Sequence, residues 1–186
     1  MSIIRSATNK DIPGILAVLH HNLMANKKIK DKNQLEQTGF IIHDFTADDL
    51  EAIIADSQHH ILLVAIEDDK VIGYILTYDM PYAKPDWLSL VVASPQIKDI
   101  LAAKEVLYHR NIAKKHNKKG VGKQLLQVLL QEAAARNYKY VACQIVQQPY
   151  KNKVSIALHE QLGFKAVGHG YEADVDITFG VYLKRL

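Results

Sequence analysis

Lys104 to Arg136, KEVLYHRNIAKKHNKKGVGKQLLQVLLQEAAAR, is the stretch that most limits what this chain can become. Val106 to Ala113 mixes Val, Leu, Tyr and Ile with polar residues as a strand does, and after the glycines Val121, Leu125, Leu126, Leu129 and Ala133 recur at helical spacing. A strand therefore runs through a basic loop into a helix N-terminus. The N–H groups of that first helical turn lack intrahelical partners, so the junction carries partial positive charge and suits an anion. Gly120 and Gly122 let a ligand approach the backbone there. Lys114, Lys115, Lys118, Lys119 and Lys123 crowd the same loop while the formal net charge of the whole chain is only +3, so the positive field is local. A basic run of this kind also fits a solvated surface loop; the neighbouring glycines favour an anion clamp.

Two phosphate-binding loops are excluded by single residues. A Walker-type loop needs Gly where Asn117 stands and Ser or Thr where Gln124 stands, and a dinucleotide fingerprint needs a third Gly at Leu125. The single Cys143 excludes an intrachain disulfide and predicts no metal cluster. The longest apolar segment, Ile61 to Ile66, is strand-sized and far short of the roughly 20 residues of a membrane helix. Nothing at the N-terminus joins a basic start to a long apolar run, so a cytoplasmic protein without a membrane partner is expected. At 186 residues, residues 1–186 are expected to form one domain.

Ser2 to Ala7 reads as a first strand, and Thr8 with Asp11 has the form of a helix start ahead of the apolar stripe Ile12, Ile15, Leu16, Leu19 and Leu23. Ala25 to Lys32 is a Lys-rich loop, and Thr46 with Asp49 repeats the capping pattern before Leu50, Ile53 and Ile54. His59 to Ile66 and Val71 to Leu76 make two strands joined by the acidic turn Glu67 to Lys70, a hairpin. Met80 to Lys104, with Pro81, Pro85 and Pro95, yields only a helix around Ile97 to Ala103. Beyond the central helix come a strand, Tyr138 to Val146, a helix capped by Asn152 and ended by Gly163, and two strands, Phe164 to Glu172 and Thr178 to Lys184. The order predicts an α+β layered fold whose mixed, mostly antiparallel sheet has about seven strands and is flanked by about four helices.

The loop Asn117 to Gly122 resembles the Q/R-x-x-G-x-G/A loop of the GNAT acyl-CoA N-acyltransferases, with Asn for the leading residue, and Asn111-Ile112-Ala113 is similar to the end of that family's fourth strand. Asn152 to Phe164 resembles the family's later helix, N-x-x-A/S-I-x-L-Y-x-x-L-G-F, with His159 in place of Tyr, and its L-H-E-x-L-G-F form is similar to phosphinothricin-type amino-acid acetyltransferases. These two motifs are specific; a looser likeness extends from Ile3 to Leu183. The resemblance implies a GNAT-like fold and transfer of an acetyl group from acetyl-CoA, a cosubstrate needing no metal, to a primary amine of a small molecule or amino acid in a ternary complex. It places the coenzyme on Ile112, Ala113, Asn117, Lys118, Lys119, Gly120, Val121, Gly122, Lys123, Asn152 and Ser155. It also implies that acceptor choice lies in Leu23 to Asp44 and Met80 to Lys104.

For the chemistry, the resemblance gives His159 the place of the acid that protonates the departing thiolate. An imidazole of reference pKa about 6.5 can protonate a thiolate whose acid is near 8.5. Its alternative is a structural His on the helix face. Glu105 looks like the carboxylate base of some members, and His109 shares its face by strand alternation; either can instead be a plain strand residue. Gln144 stands where other members carry Glu, and water relays can replace a dedicated base. Two other classes compete: an acyl-CoA-binding sensor without catalysis, suggested by Asn117 and His159, and a nucleic-acid module using KKHNKK. The second is disfavoured because no aromatics interleave with the lysines. A homodimer is compatible with the reading.

Overall fold

The computed structural model describes residues 2–27, 32–80, 82, 86–115 and 118–186. Asn117, the centre of the Lys-rich loop, Pro81 and Pro85 lie outside the described residues. In chain order the elements are β1 (Ile3–Ser6), α1 (Ile12–Asn22), α2 (Lys32–Thr38), α3 (Ala47–Ala55), β2 (His60–Glu67), β3 (Lys70–Asp79), α4 (Asp86–Ser89) and β4 (Val91–Val92). They continue with α5 (Pro95–Leu101), β5 (Val106–Lys114), α6 (Val121–Ala135), β6 (Tyr140–Gln148), α7 (Lys153–Gln161), β7 (Lys165–Glu172) and β8 (Ile177–Arg185).

The strands form one eight-stranded sheet in the order β1-β2-β3-β5-β6-β8-β7-β4. Every neighbouring pair is antiparallel except β5 with β6. The expected α+β class holds. The extra strand, β4, is two residues pairing with His169 and Gly170 at the sheet edge, too short to leave a periodic signal in the Pro-rich region. The hairpin turn places Asp68 and Asp69 at φ of 49° and 57°, the two left-handed residues of a turn that matches strand twist.

Strand alternation sorts the core. Ile61, Leu63 and Ala65 of β2 join Leu125, Leu126, Leu129 and Ile156 on the α6 and α7 face, whereas Leu62 and Val64 join Ile15, Leu19 and Leu50 on the α1 and α3 face. A third cluster joins Leu101 of α5 to Val106, Ala142 and Val181. The expected caps form. Thr46 and Asp49 make a reciprocal capping box at α3, while Thr8 and Asp11 enclose a short 3-10 turn ahead of α1.

Candidate active site

Parallel pairing between β5 and β6 runs from Val106 with Tyr140 to His109 with Cys143 and stops there. Beyond it β5 keeps its pairing with β3, while β6 keeps its pairing with β8. The two central strands thus part, and the edge of β5 beyond His109 loses its strand partner. Arg110 sits at the irregularity, the extra residue between the pairs His109 with Thr77 and Asn111 with Leu76, so a bulge marks the point of departure.

A cavity of about 280 Å³ occupies the divergence. Its walls are residues 110–114 of β5, Gln144 to Val146 of β6, Gly122 of α6, residues 37–43 at and beyond the end of α2, and Asn152, Ser155, Leu158 and His159 around α7. Glu36 fixes the α2 wall by accepting from the Lys151 N–H at 3.1 Å and pairing with Lys153 at 2.8 Å. Of the two regions expected to border the acceptor, only the first reaches this cavity. Among the described residues of 80–104 none lines it, and Glu172, Ile177 and Phe179 of the last hairpin do so instead.

The start of α6 has the form expected of an anion site. Gly120 caps the helix with φ of +79°, a left-handed conformation that favours Gly. At Gly122 a Cβ would lie 3.6 Å from Leu158 and 3.9 Å from Ile112, ordinary contact distances, so packing does not demand Gly there. What a side chain at Gly122 would fill is the cavity. Ile112 and Ala113 border the same space from β5, whereas the Val121 side chain is buried in the core and leaves only its backbone for a ligand. Lys118 forms an ion pair with Glu67, Lys119 is exposed, and Lys123 is half-buried. Lys114 borders the cavity, and burial holds its pKa below the usual lysine value.

Asn152 does two things at the head of α7. Its Oδ1 accepts from the Ser155 N–H at 3.2 Å, and its Nδ2 donates to the Phe40 carbonyl at 3.0 Å, tying the helix to the cavity wall. At the other end the Phe164 N–H reaches the His159 carbonyl and the Gly163 N–H that of Glu160, a Schellman closure with Gly163 at φ of +85°. That closure sets Phe164 edge-on to the His159 ring, 4.9 Å between centroids.

His159 is 1% exposed and meets His109, with Nε2 3.1 Å from His109 Nδ1. Its Nδ1 lies 2.7 Å from the Ser155 carbonyl, which can only accept, so Nδ1 carries the proton and Nε2 the lone pair. His109 Nδ1 then donates to His159, leaving His109 Nε2 as a buried lone pair without a partner among the described residues. Both rings are neutral near pH 7. Burial lowers His159 to about 4 against the help of the Ser155 carbonyl, and burial followed by the His159 charge lowers His109 well below its usual value. Cys143 is buried at the same vertex, its thiol pKa pushed up by desolvation. Ligand atoms of His109, Cys143 and His159 lie within 4.8 Å of one another, so the fold assembles three metal-capable groups where one Cys predicted no cluster. In this arrangement the facing ring nitrogens bind each other.

Glu105 stands apart. It precedes β5 at the end remote from the cavity, exposed and paired with Lys139 at 3.0 Å. Sequence reasoning passed over Arg110, Tyr108, His43 and Glu172, all of which border the cavity. Arg110 and Tyr108 lie in the motif strand itself, where neither stood out among its mixed polar and apolar residues; His43 and Glu172 come from distant segments and left no local pattern.

A model of the acetyltransferase (GNAT) family matches residues 29–164. No curated protein matches the sequence significantly. An N-acetyltransferase from Staphylococcus aureus Mu50 superposes with a TM-score of 0.67 at 22% identity, covering 100% of this chain and 98% of that one. The Salmonella typhimurium protein yncA, solved with its cofactor acetyl-CoA, gives 0.69 at 21% identity, covering 100% and 94%. PaiA N-acetyltransferase from Thermoplasma acidophilum, in complex with coenzyme A, gives 0.65 at 15%, covering 100% and 99%. At such identities these structures speak for the fold.

Proposed function

The chain belongs to the acetyltransferase (GNAT) family and is an acetyl-CoA-dependent N-acetyltransferase, and on that premise we propose that it acetylates a primary amine of a small molecule or amino acid by direct attack in a ternary complex. The observation that carries the reading is the parting of β5 from β6 beside Gly122 at the start of α6. The residues present fit acetyl-CoA: a Cβ at Gly122 would enter the cavity rather than the core, and the buried Asn111 amide nitrogen borders the cavity without a protein partner among the described residues. Backbone N–H groups from Lys119 to Lys123 would meet the pyrophosphate, and Ile112 and Ala113 would flank the pantetheine arm. The coenzyme supplies an activated acyl group and a thiolate leaving group.

The chain's own residues supply polarisation and proton movement. Backbone N–H on the unpaired edge of β5 polarises the acyl carbonyl as charge develops on its oxygen. As the C–N bond forms and the C–S bond breaks, one proton must travel from nitrogen to sulfur. His109 Nε2, a lone pair bordering the cavity, takes that proton, and the hydrogen bond to His159 spreads the charge over both rings. Because the site holds these imidazoles neutral, the protonated pair is a strong acid and readily protonates a thiolate whose acid lies near 8.5. His159 thereby acts through His109 rather than as an imidazolium waiting in the resting enzyme. Glu105 takes no part.

Thermal shift with coenzyme A and thiol release over an amine panel test the proposal. Coenzyme at a hundred times its Kd should stabilise the fold by about 2.7 kcal/mol. Absence of both stabilisation by coenzyme A and thiol release with every amine tried would refute it.

A further inference from the structure

Arg110 is a charge with no ion-pair partner among the described residues. It lies at the bulge where β5 leaves β6, between His109 and Asn111, and it borders the cavity. A guanidinium does not shed its charge by losing a proton, so a half-buried one calls for an anion. Among the described residues no carboxylate comes within the 4.0 Å of an ion pair with it. Apart from Glu172, the groups named beside it are polar and uncharged, and the Tyr108 phenol shares a side-chain hydrogen bond with it. The phenols of Tyr78 and Tyr108 lie beside it, and the Tyr108 hydroxyl donates to Gln144 Oε1 at 2.9 Å. His43 is neutral near pH 7, lowered to about 4 by burial and then by the Arg110 charge itself. Glu172 attracts the guanidinium from farther off and borders the same cavity.

We infer that the acceptor is an α-amino acid whose carboxylate is held by Arg110, an inference that rests on the acetyl-transfer reading above and narrows it. The planar fork of a guanidinium matches a carboxylate through two parallel hydrogen bonds, which a lysine cannot offer. Placement limits the spacing. Arg110 borders the same cavity as His109 and the β5 edge assigned to the acyl carbonyl, so a carboxylate on it shares one small cavity with the reacting nitrogen. An amine one carbon from its carboxylate meets that requirement. The amine at the far end of a long chain does not, and a protein N-terminus carries an amide where the carboxylate must be. Glu172 completes the match by attracting the ammonium end as the zwitterion enters.

The test sets each of the common L-amino acids beside its own carboxamide, with acetyl-CoA and the intact protein. At least one acid should be acetylated with a kcat/KM roughly 10²-fold above its amide, the scale of losing one partner of a buried charge pair. Arg110→Gln should remove that preference by raising KM for the acid far more than for the amide, with coenzyme Kd as it was. Arg110→Lys should restore part of it, and thermal melting shows that both variants fold. Calorimetric titration of the coenzyme-loaded protein with the same compounds separates this inference from its premise. Acids that bind without thiol release uphold Arg110 and refute acetyl transfer. Amides accepted as well as acids, acid kinetics unchanged in a folded Arg110→Gln variant, or amine acetylation without binding of any amino acid would overturn it.

Discussion

At the scale of single residues, Gly122 and His159 carry the sharpest expectations. A Cβ at Gly122 meets only ordinary contacts, so Gly122→Val should fold while its branched side chain occupies the cavity beside the first turn of α6. Coenzyme Kd should rise at least tenfold with melting temperature nearly unchanged, and unaltered coenzyme binding in the folded variant would remove the clamp. For His159 the structure changes the argument that the sequence invites. An imidazole acid of ordinary pKa would lose activity above about pH 6.5. With the folded value near 4 it is already neutral there, so activity should climb from pH 6 to 9 as the acceptor amine loses its proton. A decline across that range, shifted in His159→Tyr, would restore the resting acid. His159→Phe should bind coenzyme and lower kcat by roughly 10²-fold, the scale of a positioned proton carrier.

At the scale of elements, the caps and turns were legible because each is a local bargain between neighbouring residues. Asn152, Gly163 and Phe164 specify the start, end and tilt of α7 without reference to the rest of the chain, and Thr46 with Asp49 does the same for α3. The strand and helix of the central motif were legible for the same reason. The vertex was not. His109 meets Cys143 only because β5 and β6 pair in parallel through a crossover, and His159 reaches His109 from fifty positions away. The wall from Gln37 to His43 depends on Glu36 reaching Lys151 and Lys153, a contact that no periodicity encodes. Asn152 links the two kinds of information, capping its own helix and holding Phe40. Asn152→Ala should therefore cost more than a cap alone, about 2 to 3 kcal/mol by urea denaturation, because the Phe40 carbonyl loses its donor as well. A loss near 1 kcal/mol would mean that the link to the wall contributes nothing.

At the scale of the whole molecule, the site makes the fold sensitive to acid. His159 falls from an unfolded value near 6.5 to about 4, His43 falls to a similar value, and His109 falls well below its usual value, in each case chiefly through burial. Between pH 6.5 and 4 the unfolded chain therefore binds protons that the folded chain does not, and stability must drop as pH falls through that window. Below it a second loss begins, since Arg5 holds Asp11 at about 2 and that ion pair stabilises the fold only while Asp11 stays ionised. For the fully buried His159 alone the first loss at pH 5 is roughly 2 kcal/mol, while His43, half-buried and partly solvated, adds less. Urea denaturation at pH 7, 6 and 5 should show the wild type losing several kcal/mol, and His159→Phe should flatten the slope even though its stability at pH 7 is lower. Coenzyme A added at saturation should raise every point without changing that slope, provided the histidines stay neutral in the complex. Equal wild-type stability at pH 7 and 5 would mean that the histidine pair takes up protons in the folded state, and the neutral relay assigned to it would fall with that result.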